Sequence, residues 1–342
     1  MREFKISGDE AGQRFDKYLK KLLTEAPGSF IYKMLRKKNI TLNGKRAEGT
    51  ERLQVGDEVK LFLSDETYEK FSGNRRTATE FQYLKSLPYP ADDRTSGPSG
   101  ELPVVYEDED ILILNKPTGM LSQKAKPTDL SANEYILSYL IRKGDLTEEQ
   151  MNTFRPSVCN RLDRNTSGLL IAGKTLRGLQ EMSDSLKQRS VQKYYRCIVK
   201  GEVQERVYLK GWLTKEETAN KVTVYPEKPD GFPAQEVETE YRPVAAGSGY
   251  SELEVHLITG RSHQIRAHLA SIGHPIVGDC KYGDREVNDY YRRELKVRSQ
   301  LLHAYRMVFA DGREITAPCG EEFERVRKYL AFSDIKKSAA GR

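Results

Sequence analysis

Four consecutive apolar residues, Leu169-Leu170-Ile171-Ala172, constrain this chain most. They show no polar alternation, so a strand built from them has to be buried. The ten residues before them, 159–168, are polar and end in Thr166-Ser167-Gly168, a turn signal. A loop therefore opens directly into the core. Within it Asp163 lies between Arg161 and Arg164. A carboxylate with cations beside it thus stands at the mouth of a buried strand.

The chain has 342 residues, too many for one ordinary domain, so two are expected. No run of about 18 apolar residues occurs, and no membrane span is expected. The start, MREFKISGDE, lacks the apolar segment of a secretory leader. The cysteines Cys159, Cys197, Cys280 and Cys319 include no C-x-x-C pair. That speaks against a zinc ribbon or a disulfide framework and for a reducing, cytoplasmic setting. The net charge of +6 permits a polyanionic partner without demanding one. A monomer is the default expectation.

Residues 1–64 read as a compact unit. Phe15, Leu19, Leu22 and Leu23 recur at helical spacing, and Ser29 is placed to cap a second, short helix. That helix has Ile31, Met34 and Leu35 on one side, with Lys33, Arg36, Lys37 and Lys38 elsewhere. Asn43-Gly44 then reads as a hairpin turn. The basic helix, extended by Lys45 and Arg46, fits a phosphate-contacting surface or simply a solvated face. Residues 65–101 are rich in Gly, Pro, Ser and Thr with little periodicity and read as a linker, mobile except where Tyr83, Leu84 and Leu87 are candidates to dock locally. From 102 to 332 strand patterns predominate. Leu253, Val255 and Leu257, for instance, alternate with Glu252, Glu254 and His256. The expected class is α+β, a small domain followed by a larger one whose mixed, mainly antiparallel sheet is flanked by helices and loops. Residues 333–342 read as a basic tail.

Two chemistries compete for the central stretch. Residues 168–175, GLLIAGKT, spell the nucleotide-binding pattern G-x-x-x-x-G-K-[ST]. A phosphate nest needs flexible backbone between its glycines, after a strand and before a helix. Here the intervening residues are those of a buried strand, and the preceding segment is polar, so only the following helix fits. The other reading makes Asp163 the reacting group rather than a turn-bracing aspartate.

The surrounding pattern favours the second reading. N-R-L-D-x-x-T-S-G-L-L-I-x-x-K resembles the central motif of the RluA-type RNA pseudouridine synthases. ILILNKPTGM, KYYRCIVKG, TGRSHQIRAHLASIGHPIVGDCKYG and LLHA resemble further motifs of that family in the same order, spanning residues 111–304. The order of helix, basic helix and N-G hairpin in residues 1–64 resembles the S4 RNA-binding domain, with Arg36, Lys37 and Lys38 matching its basic face.

The resemblance implies the pseudouridine synthase fold and isomerisation of uridine in RNA, ribosomal RNA first and tRNA as the alternative. It implies Asp163 as nucleophile, Tyr195 against the uracil and Arg266 paired with Asp163. It implies RNA contacts by Lys116, Arg261 and His263. Arg161, next to the nucleophile, is the candidate to fill the space a flipped base vacates, with simple phosphate pairing as the alternative. No cofactor, nucleotide or metal is expected, and the histidines, His263 and His268 among them, do not form H-E-x-x-H. Spacing alone leaves Tyr194 and Tyr195 open. The family pattern K-x-Y selects Tyr195, and strand alternation then sends Tyr194 to the other face. Three residues depart from the common pattern: Asn160 and Gln123 for His, and Cys197 for Ala. None removes the acid, the tyrosine or the arginine. A catalytically idle RNA-binding or ribosome-assembly protein is the alternative of a different class, and the intact set speaks against it.

Overall fold

The computed structural model describes residues 1–8, 10–72, 74–89, 102–216, 221–231 and 233–334. The first unit is a four-stranded antiparallel sheet in the order Arg2–Lys5, Glu58–Leu61, Ile40–Leu42, Lys45–Arg46. Helices Phe15–Leu22 and Gly28–Arg36 cover it, with Phe15, Leu19, Ile31, Leu35 and Val59 in its core. The second helix is preceded by Pro27 as its N-cap, earlier than a Ser29 cap would allow. Asn43 and Gly44 both take positive φ, 50° and 71°, as the hairpin turn requires.

The segment read as a linker differs from that expectation over residues 65–89. It contains helices Asp65–Ser72 and Asn74–Ser86. Leu84, Leu87 and Tyr89 are buried in the larger unit's core. Ser138 Oγ and the Arg142 guanidinium both donate to the Leu87 carbonyl, at 3.4 and 3.1 Å. Packing, not propensity, makes these helices. Residues 90–101 of the expected linker, and 335–342 of the expected tail, lie outside the described residues. Ser333 and Asp334, where that tail was expected to begin, instead pair with Ala246 and Ala245 of the main sheet.

The larger unit is α+β. Its main sheet runs Lys221–Tyr225, Val207–Glu216, Gln235–Gly247, Tyr250–Leu257, Gln192–Lys200, Leu302–Val308, Ser167–Gly173, Ile111–Lys116, Val104–Glu107. Its neighbours are antiparallel except Ser167–Gly173 and Leu302–Val308, which pair in parallel. Leu169 and Ile171 face one apolar cluster with Ile113 and Met307. Leu170 and Ala172 face another, with Leu112, Tyr135 and Tyr195. All four are fully buried. The unbroken apolar run is therefore a strand covered on both faces, where truncating one leucine costs about 2–5 kcal/mol.

Gly168 is fixed by close approach. Its φ is 111°, and a Cβ there would meet the Ala304 carbonyl oxygen at 2.2 Å. No larger residue fits where these parallel strands meet. The strand ends at Gly173, and Thr175 caps helix Leu176–Lys187 by accepting from the Gly178 N–H.

Candidate active site

The loop before the central strand is held from several sides. The Cys159 N–H donates to the Ile171 carbonyl at 2.7 Å, and Asn160 Oδ1 accepts from the Ile171 N–H at 2.8 Å. Asn160 thus anchors the loop to its own strand through a backbone donor. Ser122 Oγ donates to the Leu162 carbonyl at 2.9 Å and accepts from the Leu162 N–H at 3.0 Å. The Thr166 N–H closes the turn on the Asp163 carbonyl at 3.1 Å.

Lys116 lies beneath this loop, fully buried. Its ammonium donates to the carbonyls of Pro117 and Met120, each at 2.9 Å, and of Arg164 at 3.2 Å. This corrects the expectation that Lys116 contacts RNA. Its donors are committed to the loop backbone, and no part of it reaches the surface. Burial pushes its ammonium down to about 7, with the Asp163 carboxylate opposing.

Asp163 is turned toward helix Gln264–Ser271. Arg266 Nη1 donates to Asp163 Oδ2 at 2.7 Å. The rest of that guanidinium is taken by Asp279, with Nε on Oδ2 at 2.7 Å and Nη2 on Oδ1 at 2.9 Å. The Asp279 side chain is wholly buried, that of Arg266 is 5% exposed, and that of Asp163 is 27% exposed. Only the first acid of the chain Asp163–Arg266–Asp279 faces outward. Burial works against the charge on Arg266 and on Asp279. Their mutual pairing outweighs it, holding the arginine above and the aspartate below their ordinary ranges.

The helix that carries Arg266 is itself pinned at its start. Gln264 accepts from Thr259 Oγ1 at 2.8 Å and the Arg261 N–H at 3.1 Å, and donates to the Glu238 carbonyl at 2.9 Å and Thr239 Oγ1 at 3.0 Å. His263, just before it, takes a left-handed backbone, φ 53°. Its Nε2 lies 4.0 Å from Asp163 Oδ2, and its Nδ1 is 2.9 Å from the Tyr282 hydroxyl.

Tyr195 projects from strand Gln192–Lys200 into the core face and is 5% exposed. Burial first, then the Asp163 carboxylate, raises its hydroxyl, which stays protonated at neutral pH. Tyr194 points the other way, stacked on His256 with ring centroids 4.7 Å apart and with the Arg306 guanidinium 3.9 Å over it. Cys197, two residues from Tyr195, is fully buried on the Tyr195 side.

The structure thus brings Arg266 and His263 to Asp163, with Tyr195 near enough to feel its charge. Arg161 and Arg261 are exposed on the loops that carry Asp163 and precede His263. Arg36, Lys37 and Lys38 are exposed on the first unit instead. His268, one turn below, is buried against Thr239 Oγ1 at 3.0 Å, and burial pushes it down to about 4. It is structural.

Sequence reasoning missed Asp279 and Tyr282. GDCKYG reads as a turn, and nothing local marks its aspartate as the buried partner of Arg266. Lys174, the lysine of the phosphate-binding spelling, pairs with Glu107 at 2.6 Å and Asp145 at 3.3 Å at the far end of the strand. With a strand where a nest would be and its lysine committed, the nucleotide reading fails. A cavity of about 960 Å³ beside the sheet is lined by Tyr135, Tyr139 and His303, without Asp163, Tyr195 or Arg266.

Comparison with known proteins places these features in a family. The profile described as RNA pseudouridylate synthase matches residues 110–271. The ribosomal large subunit pseudouridine synthase C of Vibrio vulnificus (strain CMCP6) is 30% identical over 339 residues, 96% of each chain. Its counterpart from Escherichia coli (strain K12) is 30% identical over 345 residues, 95% of each chain. Among solved structures, human RNA pseudouridylate synthase domain containing 4 aligns with a TM-score of 0.55 at 19% identity, over 76% of this chain and 97% of that one. At that identity the likeness is one of fold.

Proposed function

This chain belongs to the RNA pseudouridylate synthase family, and from that premise we propose that it isomerises uridines of large-subunit ribosomal RNA with Asp163 as nucleophile. The observation that carries the proposal is the Asp163–Arg266 pair, 2.7 Å long, at the outer end of an otherwise buried ion chain. The ribosomal target follows from the names of the relatives, which match over nearly their whole length.

The chemistry follows from the groups present. Uridine isomerisation breaks the bond from ribose C1′ to uracil N1, turns the base and joins C1′ to C5, which then loses its proton. An ionised carboxylate can attack C1′ or assist proton removal toward a glycal, and no second acid is required. Arg266 pairs with the carboxylate and holds it in line. Its bond goes to Oδ2, so Oδ1 is the oxygen presented to the sugar. Tyr195 offers its ring to the detached uracil and stays protonated while the base rotates. The target uridine must leave its stack, at a cost of a few kcal/mol, and exposed Arg161 is positioned to fill the gap.

Residues 1–64, resembling the S4 domain, hold the RNA through Arg36, Lys37 and Lys38. The enzyme acts as a monomer in the cytoplasm and draws on no nucleotide. Among the described residues no helix is long and apolar enough to cross a membrane.

The test is a single-turnover assay on large-subunit ribosomal RNA and tRNA transcripts. Wild type converts a site in the ribosomal transcript, while Asp163→Asn and Asp163→Ala bind it and convert nothing. Turnover by either variant sinks the nucleophile assignment. Conversion confined to tRNA sinks the ribosomal one.

A further inference from the structure

His263 and Tyr282 sit beside the ion chain without belonging to it. The Tyr282 hydroxyl accepts from the Val222 N–H at 2.9 Å and meets His263 Nδ1 at 2.9 Å. The two rings stand edge to face, centroids 5.7 Å apart. The other imidazole nitrogen, Nε2, is 4.0 Å from Asp163 Oδ2. Val222 belongs to strand Lys221–Tyr225 and Tyr282 to the turn after Asp279. A chain of side chains therefore runs from a peripheral strand to the nucleophile.

Two proton arrangements fit these distances, and only one satisfies every group within the protein. If Nδ1 carried the proton, it would donate to the tyrosine, whose own O–H would find no other acceptor among the described residues. The imidazole lone pair would then face the Asp163 carboxylate. If Tyr282 donates to Nδ1, its hydroxyl both accepts and donates, and Nε2–H faces the anion. Burial pushes the imidazole below its ordinary range, with the Asp163 carboxylate opposing and Arg266, Lys281 and Asp279 adding smaller effects of both signs. The ring is therefore neutral, with one proton to place.

We propose that Tyr282 fixes His263 as the Nε2–H tautomer, and that His263 donates this N–H to Asp163 Oδ2 in the RNA complex, leaving Oδ1 as the attacking oxygen. Tyr282 is a positioning residue acting through His263, and His263 positions the nucleophile. No proton is transferred: the imidazole keeps its N–H throughout, as Arg266 keeps its own. In the free protein the 4.0 Å separation is longer than a hydrogen bond. Closing it on RNA binding gives Oδ2 two donors where it has one, and such catalytic contacts tighten when substrate is bound. The proposal rests on Asp163 being the nucleophile.

The experiment combines spectroscopy with a paired substitution in the full-length protein. Nitrogen-15 NMR of histidine-labelled protein, with the His263 signals identified by their loss in His263→Gln, reads the tautomer directly. The Nε2–H form is expected in wild type at neutral pH, with a shift toward a tautomer mixture in Tyr282→Phe, which keeps the ring but removes the donor. In single-turnover assays His263→Gln, whose amide N–H reaches as far as Nε2, retains most of the rate. His263→Asn, whose amide stops at the Nδ1 position, loses about 10- to 100-fold, the size of one hydrogen bond to a charged group. RNA affinity changes much less than the rate in His263→Asn.

An Nδ1–H or doubly protonated wild-type ring overturns the proposal. So does an equal loss in Gln and Asn variants, or a loss confined to RNA affinity. The NMR result needs no turnover, so it separates this proposal from the nucleophile assignment, which stands or falls with Asp163→Asn.

Discussion

Asp279 grips Arg266 with both carboxylate oxygens, at 2.7 and 2.9 Å, from a wholly buried position. The arginine is thereby fixed in plane, and its remaining Nη1 has one direction left, toward Asp163. The fork geometry of a guanidinium makes this alignment, and a lysine could not reproduce it.

Replacing Asp279 should therefore slow catalysis from a buried position. Asp279→Asn puts an amide donor against a guanidinium donor and frees the arginine to swing. Single-turnover rate should fall about 10- to 100-fold, with RNA binding little changed. Asp279→Ala, which leaves a buried cation unpaired, should also lose about 3–5 kcal/mol of stability in urea denaturation. A variant with normal rate and stability would mean that Asp163 alone orients Arg266.

Lys116 makes a pH-dependent prediction. Its folded-state ammonium is pushed down to about 7, well below the ordinary lysine value. Between that pH and about 10.4 the unfolded chain holds a proton that the folded chain has released. Stability from this group therefore rises with pH across that window, by at most about 1.4 kcal/mol per pH unit, and is lower at and below neutrality. Lys116→Met should flatten that part of the curve in denaturant melts at several pH values. It should also loosen the Asp163 loop, because three carbonyls lose their donor.

Lys174→Ala separates the two spellings of the central stretch. It removes ion pairs with Glu107 and Asp145 from a side chain only 12% exposed. About 1–2 kcal/mol of stability should be lost in thermal or chemical denaturation. Turnover of folded protein should stay the same, and calorimetry should find no ATP binding to either protein. Nucleotide binding abolished by this substitution would restore the phosphate-loop reading.

The basic helix of the first unit should act on affinity alone. Converting Arg36, Lys37 and Lys38 together to alanine should weaken RNA binding. It should also reduce the slope of log affinity against log salt, by about 0.7–0.9 for each phosphate no longer neutralised. The rate at saturating RNA should hold. An unchanged salt slope would make this helix a solvated face, the plainer of its two interpretations.

What was legible in the sequence had local causes. The run Leu169–Ala172 announced burial on both faces because a strand's side chains alternate, and each face found its own cluster. The same alternation put Tyr194 and Tyr195 on opposite faces, while the choice of Tyr195 came from the family resemblance. Leu84 and Leu87 were legible as docking residues, but the helices of residues 65–86 were not, because their apolar anchors, Tyr68, Phe71, Phe81 and Leu84, are sparse. Helix Asn74–Ser86 is held by helix Ala132–Lys143, some fifty residues later, whereas helix Asp65–Ser72 buries Tyr68 in the first unit's core, and no window of sequence contains either contact. Asp279 was hidden in the same way. An aspartate in a glycine-flanked turn serves its own backbone by default, and here it does accept the Lys281 and Tyr282 N–H groups. Its second role appears only when helix Gln264–Ser271 lies alongside. Lys116 misled for the converse reason: a loop lysine is ordinarily wet, and only the fold shows three carbonyls converging on it.

The parallel pairing in the main sheet orders events during synthesis. The strand that begins at Ser167 is flanked on one side by Leu302–Val308, and Ser167 Oγ meets His303 Nδ1 across 136 positions of chain. Gly168 is shaped to the Ala304 backbone. The turn that presents Asp163 therefore lacks this wall until nearly the last strand has been made. A nascent chain displays its basic amino-terminal unit for most of its synthesis, and the turn that carries Asp163 gains its neighbouring strand only near the end.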